Sequence, residues 1–127
     1  MPSTNYPIHA LIVDDEPLVV QTSTEALLYS GYIATFALGA AEALQYIDSA
    51  RPLDILITDV VMPQIDGFKL AQIAIDRRPG LHVLYTTGYV GLARELSSIG
   101  EWQNQILHKP YRPVELIHNV RRILEAA

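Results

Sequence analysis

The sequence contains no cysteine among its 127 residues, which excludes disulfides, thiolate zinc sites and cysteine nucleophiles. It also has no basic stripe, because the net charge is −5 and the Lys and Arg residues are scattered apart from two Arg pairs. A nucleic-acid surface is therefore not predicted. Apolar runs stay well below the roughly 20 residues that cross a bilayer, and no secretion-signal pattern is present. These absences favour a cytoplasmic protein without membrane contact.

Length and composition fit a single domain. Hydrophobic residues make up 50% of the chain, which is enough to form a buried core without disulfides or structural metals. No internal repeat, low-complexity stretch or linker divides the sequence. We therefore predict one domain over residues 1–127, with its core between residues 8 and 124.

Short apolar runs alternate with longer amphipathic stretches along the chain. Strands are predicted over residues 8–13, 32–36, 53–58, 82–87 and 105–108. Helices are predicted over residues 17–30 and 39–50, from a cap at Asp66 to Arg77, around Leu92, Leu96 and Ile99, and from Pro113 onward. This (βα)₅ pattern is typical of an α/β fold, a mostly parallel sheet with helices on both faces.

Polar residues follow the predicted strands, where parallel sheets hold their ligands. They are Asp14, Asp15, Asp59, Thr86, Thr87 and Lys109. Three carboxylates at one edge repel each other, so they either share protons or bind a cation. Oxygen ligands without a nearby histidine or cysteine favour Mg²⁺. We predict a Mg²⁺ site, and Glu16 beside it either tunes the metal or is an exposed first-turn residue.

The other groups at this edge suit phosphoryl transfer. Lys109 can neutralise an incoming phosphoryl group, and the Thr87 hydroxyl can donate a hydrogen bond to it. In this chemistry the protein mainly positions groups and stabilises charge. Asp59 is the predicted nucleophile, because a carboxylate can form an aspartyl-phosphate.

Each acidic residue also has a purely structural explanation when taken alone. Asp14 and Asp15 suit the N-terminus of a helix, and Asp59 suits a turn. Their coincidence with Thr87 and Lys109, all at predicted strand ends, favours the functional interpretation over these structural ones.

Four segments resemble the receiver domain of two-component response regulators. They are Val13-Asp14-Asp15-Glu16-Pro17, Asp59-Val60-Val61-Met62-Pro63 with Asp66-Gly67, Thr87-Gly88, and Lys109-Pro110. The resemblance covers nearly the whole chain and includes order, spacing and strand placement. It implies a flavodoxin-like fold, with strand order 2-1-3-4-5 and a cis bond between Lys109 and Pro110.

The resemblance also implies a function. Asp59 would be phosphorylated by a phosphohistidine on a sensor histidine kinase or a histidine phosphotransfer protein. Phosphorylation would change the conformation of a surface that binds an unknown downstream protein. The chain would not be an enzyme, and its activity would be slow self-dephosphorylation at most. The predicted face combines the helix around Leu92, Leu96 and Ile99, the fifth strand and the last helix. The predicted partners include a second copy of the chain, in a homodimer through the last helix and neighbouring strand. The chain is either a single-domain regulator or a receiver from a larger protein such as a hybrid sensor kinase.

The resemblance assigns roles to the site residues. Asp15 would bind Mg²⁺ directly, Asp14 partly through water, and the backbone carbonyl of Val61 would be a further ligand beside the acceptor aspartate. Thr87 and Lys109 would contact the phosphoryl oxygens.

The sequence departs from the family in one respect. The position three before the lysine, often an aromatic that swings with phosphorylation, is Ile106, so the usual threonine–aromatic switch is not predicted. Tyr89, Trp102 or Tyr111 either carries part of that readout or simply packs. Val61 and Tyr89 flank the expected path of the hydrolytic water, which predicts slow dephosphorylation.

Two other classes of function fit part of the pattern. A phosphatase of the haloacid-dehalogenase type uses similar groups, but it needs a general-acid aspartate where this chain has Val61. A pseudo-receiver would bind a partner without phosphorylation, and the intact set of acidic residues and Lys109 argues against it.

Overall fold

Five strands and four helices make up the regular structure of residues 7–89 and 105–125, the part of the chain that this computed structural model describes. The strands are β1 (His9–Val13), β2 (Ile33–Ala37), β3 (Ile55–Asp59), β4 (His82–Thr87) and β5 (Ile106–His108). The helices are α1 (Pro17–Tyr29), α2 (Ala40–Ile47), α3 (Gly67–Arg77) and α4 (Pro113–Glu125). The helix predicted around Leu92, Leu96 and Ile99 lies outside the described residues.

The strands form one parallel sheet in the order β2-β1-β3-β4-β5, which confirms the predicted topology. Strands β1 and β3 are adjacent at its centre, in a register that runs from Ala10 opposite Ile55 to Val13 opposite Thr58. Because all the strands run in the same direction, their C-terminal ends meet at one edge of the sheet.

Helices cover both faces of the sheet, as predicted. On one face α2 and α3 pack on a cluster that includes Leu11, Leu56 and Leu70. On the other face α1 and α4 pack on a cluster that includes Ile12 and Ile57. Burial on both faces explains why β1 and β3 are continuous apolar runs rather than alternating ones. Every helix in the described ranges falls short of a membrane span in length or in hydropathy.

The boundaries of two elements differ from the prediction. Helix α2 ends at Ile47 rather than at residue 50, because the Ser49 hydroxyl donates to the Tyr46 carbonyl at 2.6 Å and closes a turn there. Strand β3 begins two residues later than predicted and includes Asp59, which pairs with Thr86 of β4. The acceptor candidate is therefore held by the sheet itself.

A glycine and an aspartate mark two helix ends, and the aspartate is the cap that the sequence predicts. Gly31, just after α1, has a φ of 96°, a conformation that side-chain-bearing residues rarely adopt. Asp66 caps α3, and its Oδ1 accepts a hydrogen bond of 2.8 Å from the backbone N–H of Lys69.

Candidate functional site

Three carboxylates meet at the C-terminal edge of the sheet. Asp14 and Asp15 follow β1, and Asp59 ends the neighbouring strand β3. One carboxylate oxygen from each of the three lies within 4.8 Å of the others. Asp14 and Asp59 are 1% and 5% exposed, whereas Asp15 is open to solvent. The structure thus brings together all three predicted acidic residues.

Lys109 completes this cluster from the end of β5. Its backbone N–H donates to the Thr87 carbonyl at 2.8 Å, which continues the pairing of β4 with β5. Its Nζ lies 3.0 Å from Asp14 Oδ2, 3.2 Å from Asp59 Oδ2 and 3.3 Å from Glu16 Oε1. The peptide bond between Lys109 and Pro110 is cis, as the resemblance implies.

Burial and charge set the protonation of these groups. Burial raises the pKa of Asp14, against the hydrogen bonds that it accepts from the Glu16 N–H and from Lys109. Burial also raises the pKa of Asp59, and the nearby ammonium of Lys109 opposes that effect. For Lys109 itself burial would lower the pKa, but the hydrogen bonds and charges of Asp14 and Asp59 outweigh it and raise the pKa. The lysine therefore stays charged at neutral pH.

The donor set suits a hard divalent cation. The three carboxylates offer oxygen ligands within 4.8 Å of one another, and Mg²⁺ prefers oxygen and retains several waters. Backbone N–H groups orient two of them, since Asp14 Oδ1 accepts from Glu16 at 3.0 Å and Asp59 Oδ1 accepts from Val61 at 3.3 Å. The Val61 carbonyl as a further ligand stays a prediction.

Thr87 lies fully buried at the end of β4. Its Oγ1 accepts a hydrogen bond of 3.1 Å from the backbone N–H of Tyr89, which leaves the hydroxyl hydrogen to be donated elsewhere. A hydrogen bond from this hydroxyl to a phosphoryl oxygen stays a prediction. Thr86, the other threonine at this strand end, pairs with Asp59 across the sheet, and its carbonyl accepts from the Val60 N–H at 2.9 Å.

Gly67 supports the site, although the sequence alone assigned it no role there. A Cβ at this position would stand 2.1 Å from the backbone oxygen of Asp59, too close for any side chain. The Gly67 N–H also donates to the Val60 carbonyl at 2.7 Å. Helix α3 therefore begins directly against the segment that carries Asp59. A glycine at the first position of a helix, where it is a poor helix former, is the signal that could have revealed this contact.

The residues considered for a switch occupy different environments. Ile106 is partly buried on β5, and Tyr89 is 60% exposed. The Tyr111 hydroxyl lies 2.7 Å from Oγ of Ser23 on α1, and burial raises the pKa of this tyrosine while the hydrogen bond with Ser23 opposes the increase. Trp102 lies outside the described residues.

Comparison with known proteins gives one consistent family. A model described as the response regulator receiver domain matches residues 10–121. The chain is 29% identical over 117 residues to the response regulator receiver protein CpdR of Brucella abortus, a match that covers 92% of this chain and 97% of that protein. It is also 29% identical over 118 residues to the response regulator MprA of Mycolicibacterium vanbaalenii. That match covers 93% of this chain but 51% of MprA, so the chain spans about half the length of that relative.

Solved structures share the fold over almost their whole length. A CheY-like receiver domain protein from Methanospirillum hungatei superposes with a TM-score of 0.81 at 26% identity, over 95% of this chain and 96% of the other. The signal receiver domain of an HD domain-containing protein from Pseudomonas fluorescens gives a TM-score of 0.81 at 28% identity, over 95% and 97% of the two chains.

Proposed function

This chain belongs to the response regulator receiver domain family, and on that premise we propose that Asp59 accepts a phosphoryl group from a phosphohistidine partner. Receiver domains are regulatory switches of two-component signalling. In the proposed step a carboxylate oxygen of Asp59 forms a bond to phosphorus. The bond between phosphorus and the donor imidazole nitrogen breaks, and that nitrogen keeps the electron pair.

The contact between Asp59 and Lys109 is the observation that carries this proposal. Asp59 is a buried carboxylate at the end of the central strand β3, and Lys109 Nζ lies 3.2 Å from its Oδ2. An ammonium at this distance, charged at neutral pH because its pKa is raised, offsets charge that builds on transferred phosphoryl oxygens. The free hydroxyl hydrogen of Thr87, at the end of the next strand, suits a donor to the same oxygens.

Asp14, Asp15 and Asp59 fit Mg²⁺ and would hold it, with the Val61 carbonyl as a predicted ligand. When bound, this cation supplies positive charge that neutralises phosphoryl oxygens. The chain's own residues position the groups that bind the cation. The backbone N–H groups of Glu16 and Val61 orient two of the carboxylates.

The phosphodonor in this proposal is a sensor histidine kinase or a histidine phosphotransfer protein, and the phosphorylated chain acts on an unidentified downstream protein in the cytoplasm. The responding face would include β5 and α4, together with the helix predicted around Leu92, Leu96 and Ile99. A homodimer through α4 and β5 and slow dephosphorylation past Val61 and Tyr89 are further predictions. Both a separate regulator and one domain of a larger protein are consistent with the relatives.

Phosphotransfer from a panel of phosphorylated histidine kinases to the wild type and to Asp59→Asn tests the proposal. We expect Mg²⁺-dependent labelling of the wild type and no labelling of the variant. Asp66→Asn is the matched control, since Asp66 is an exposed helix cap and should leave labelling unchanged. Acetyl phosphate with Mg²⁺, followed by intact mass measurement, provides a test that needs no cognate kinase.

Three outcomes would contradict the proposal. Equal labelling of Asp59→Asn would move the acceptor to another residue. A wild type that binds no Mg²⁺ and takes no phosphoryl group from either donor would favour a pseudo-receiver. Turnover of a phosphomonoester that Asp59→Asn abolishes would favour the phosphatase alternative instead.

A further inference from the structure

A partly buried hydrogen bond joins Tyr111 to helix α1. The Tyr111 hydroxyl and the Ser23 hydroxyl lie 2.7 Å apart, although 88 residues separate them in the sequence. Ser23 is 3% exposed, and the Tyr111 ring packs against the core cluster between α1, α4 and the sheet. Both groups are neutral and one can donate to the other, so the bond connects two elements without adding charge.

Each end of this bond is attached to a segment that carries site residues. Tyr111 follows Lys109 with Pro110 between them, and Ser23 lies on the helix that begins just after the acidic pair. Ser23 and Tyr111 line a cavity of about 510 Å³ together with Glu16 and Lys109. The hydrogen-bonded pair therefore forms part of the wall of the cavity that also borders the lysine.

The main chain around Lys109 needs such an anchor. Strand β5 has three residues, and the Lys109 N–H is the pairing contact that ties its end to the Thr87 carbonyl at 2.8 Å. The following residue, Pro110, has no N–H to donate and is exposed. The side chain of Lys109 itself is held by carboxylates that a cation would also bind, and a phosphoryl group would bind the ammonium. The Tyr111–Ser23 hydrogen bond joins neutral groups, so neither event would break it.

We propose that Tyr111 and Ser23 are positioning residues, whose hydrogen bond holds the segment carrying Lys109 against α1 and so keeps the ammonium among Asp14, Glu16 and Asp59. For its effect on phosphoryl transfer this role rests on the proposed function. Its effect on the placement of Lys109 does not, and the two effects are measured separately.

The placement of Lys109 can be read from its chemical reactivity. The chain has two lysines, Lys69 and Lys109, and the side chain of Lys109 is 13% exposed whereas Lys69 is open to solvent. Reductive methylation followed by peptide mass analysis gives the rate at Lys109 relative to Lys69 in the same molecule. We expect this ratio to rise about fivefold in Tyr111→Phe and in Ser23→Ala, the factor for one lost hydrogen bond.

A double variant and a conservative variant provide two further tests of the methylation ratio. The double variant should match each single variant, because either change removes the same bond. Ser23→Thr keeps a hydroxyl and should return the ratio towards the wild type. If Ser23→Ala does not fold, Tyr111→Phe, which keeps the aromatic ring, decides the question.

Tyr46→Phe is the matched control. The Tyr46 hydroxyl donates to the Pro52 carbonyl at 2.7 Å, on the opposite face of the sheet. This substitution removes the same atom and a bond of the same length, so it should lower stability to a similar extent and leave the lysine ratio unchanged. If Tyr111→Phe behaves in the same way, the Tyr111–Ser23 bond is merely structural and the proposal is overturned.

Phosphorylation by acetyl phosphate tests the functional consequence. At saturating Mg²⁺ the rate should fall about fivefold in Tyr111→Phe and Ser23→Ala. The Kd for Mg²⁺ should fall rather than rise, because a less firmly held ammonium competes less with the cation for Asp14 and Asp59. A raised methylation ratio with an unchanged rate would overturn the role in phosphoryl transfer. A wild type that takes no phosphoryl group would defeat the proposed function, and the methylation ratio would still decide whether the bond positions Lys109.

Discussion

Lys109 Nζ donates to Oδ2 of Asp59 at 3.2 Å, and the two residues are 50 positions apart. Asp59 ends β3 and Lys109 follows β5, and β4 lies between these two strands in the sheet. The lysine side chain therefore reaches across the end of β4 to meet the carboxylate. This contact connects the centre of the sheet to its edge, and it places a single positive side chain against carboxylates that outnumber it.

Asp59→Asn should raise the free energy of unfolding by about 1 kcal/mol at neutral pH without Mg²⁺, the usual gain when a functional site's strain is relieved. Burial raises the pKa of Asp59, so stability is lost as the pH rises through that folded-state pKa. The asparagine variant lacks this loss, and its advantage should shrink as the pH falls towards 3.8, the ordinary value. Lys109 keeps Asp14 and Glu16 as partners. Urea denaturation over a pH series measures the difference.

With Mg²⁺ present, the order of stability between the wild type and Asp59→Asn should change. The cation should stabilise the wild type by about 1.4 kcal/mol at ten times its Kd, and Asp59→Asn should gain much less. Asp66→Asn, an exposed cap whose replacement can still cap, should behave as the wild type does. An Asp59→Asn protein that is less stable than the wild type at every pH would refute the explanation from burial.

Lys109→Met should tighten Mg²⁺ binding about tenfold, equivalent to about 1.4 kcal/mol. The ammonium occupies oxygens of Asp14 and Asp59 and repels an incoming cation, so its removal frees both ligands. The same change should slow phosphorylation, because no ammonium remains to offset the phosphoryl charge. Titration calorimetry measures the affinity, with the exposed Lys69→Met as control. Unchanged affinity would show that the lysine does not compete with the metal.

Gly67→Ala should destabilise the fold by about 3 kcal/mol. The new methyl group would stand 2.1 Å from the Asp59 carbonyl oxygen, so α3 or the end of β3 has to move. Gly88→Ala is the control, since the nearest neighbour of its Cβ is Lys109 Cε at 4.0 Å. Thermal denaturation of both variants, with amide chemical shifts of the Asp59 segment, measures the effect. Equal stability of the two variants would refute the close approach.

Arg78→Lys should lower the free energy of unfolding by about 2 kcal/mol, because a lysine cannot reproduce the donor fork of the guanidinium. The Arg78 guanidinium donates to four backbone carbonyls around the end of α2, those of Tyr46, Ile47, Ser49 and Arg51. The neighbouring Arg77→Lys alters an exposed ion pair with Asp48 and should cost less than about 0.5 kcal/mol. Urea denaturation compares the two, and similar losses would contradict the special role of Arg78.

The apolar and amphipathic pattern was sufficient to predict a parallel α/β sheet with the acidic residues at one edge, and the resemblance to receiver domains added the strand order. Apolar runs mark buried parallel strands, and the ends of such strands meet at one edge. Asp14 and Asp59 follow two of these runs, so their proximity is a consequence of strand pairing rather than of side-chain detail. Lys109 could be placed at the same edge for the same reason.

The contacts that depend on helix packing could not be predicted in this way. The end of α2 is set partly by Arg78, which lies more than 25 residues further along the chain. The pairing of Tyr111 with Ser23 depends on how α1 and the loop before α4 pack together. No sequence pattern around either residue predicts that hydrogen bond. Periodicity reports which face is buried, but not which hydroxyl meets which.

In the part of the chain that the structure describes, β5 borders the sheet and pairs with β4 alone, over three residues. Strands β1 and β3, which carry the carboxylates, are hydrogen-bonded on both sides. Local opening is cheapest where a strand has one neighbour and few backbone bonds. Amide exchange should accordingly be faster in β5, next to Lys109, than in β1 and β3, next to the acidic residues. The anionic half of the site then stays in place while the cationic half opens locally.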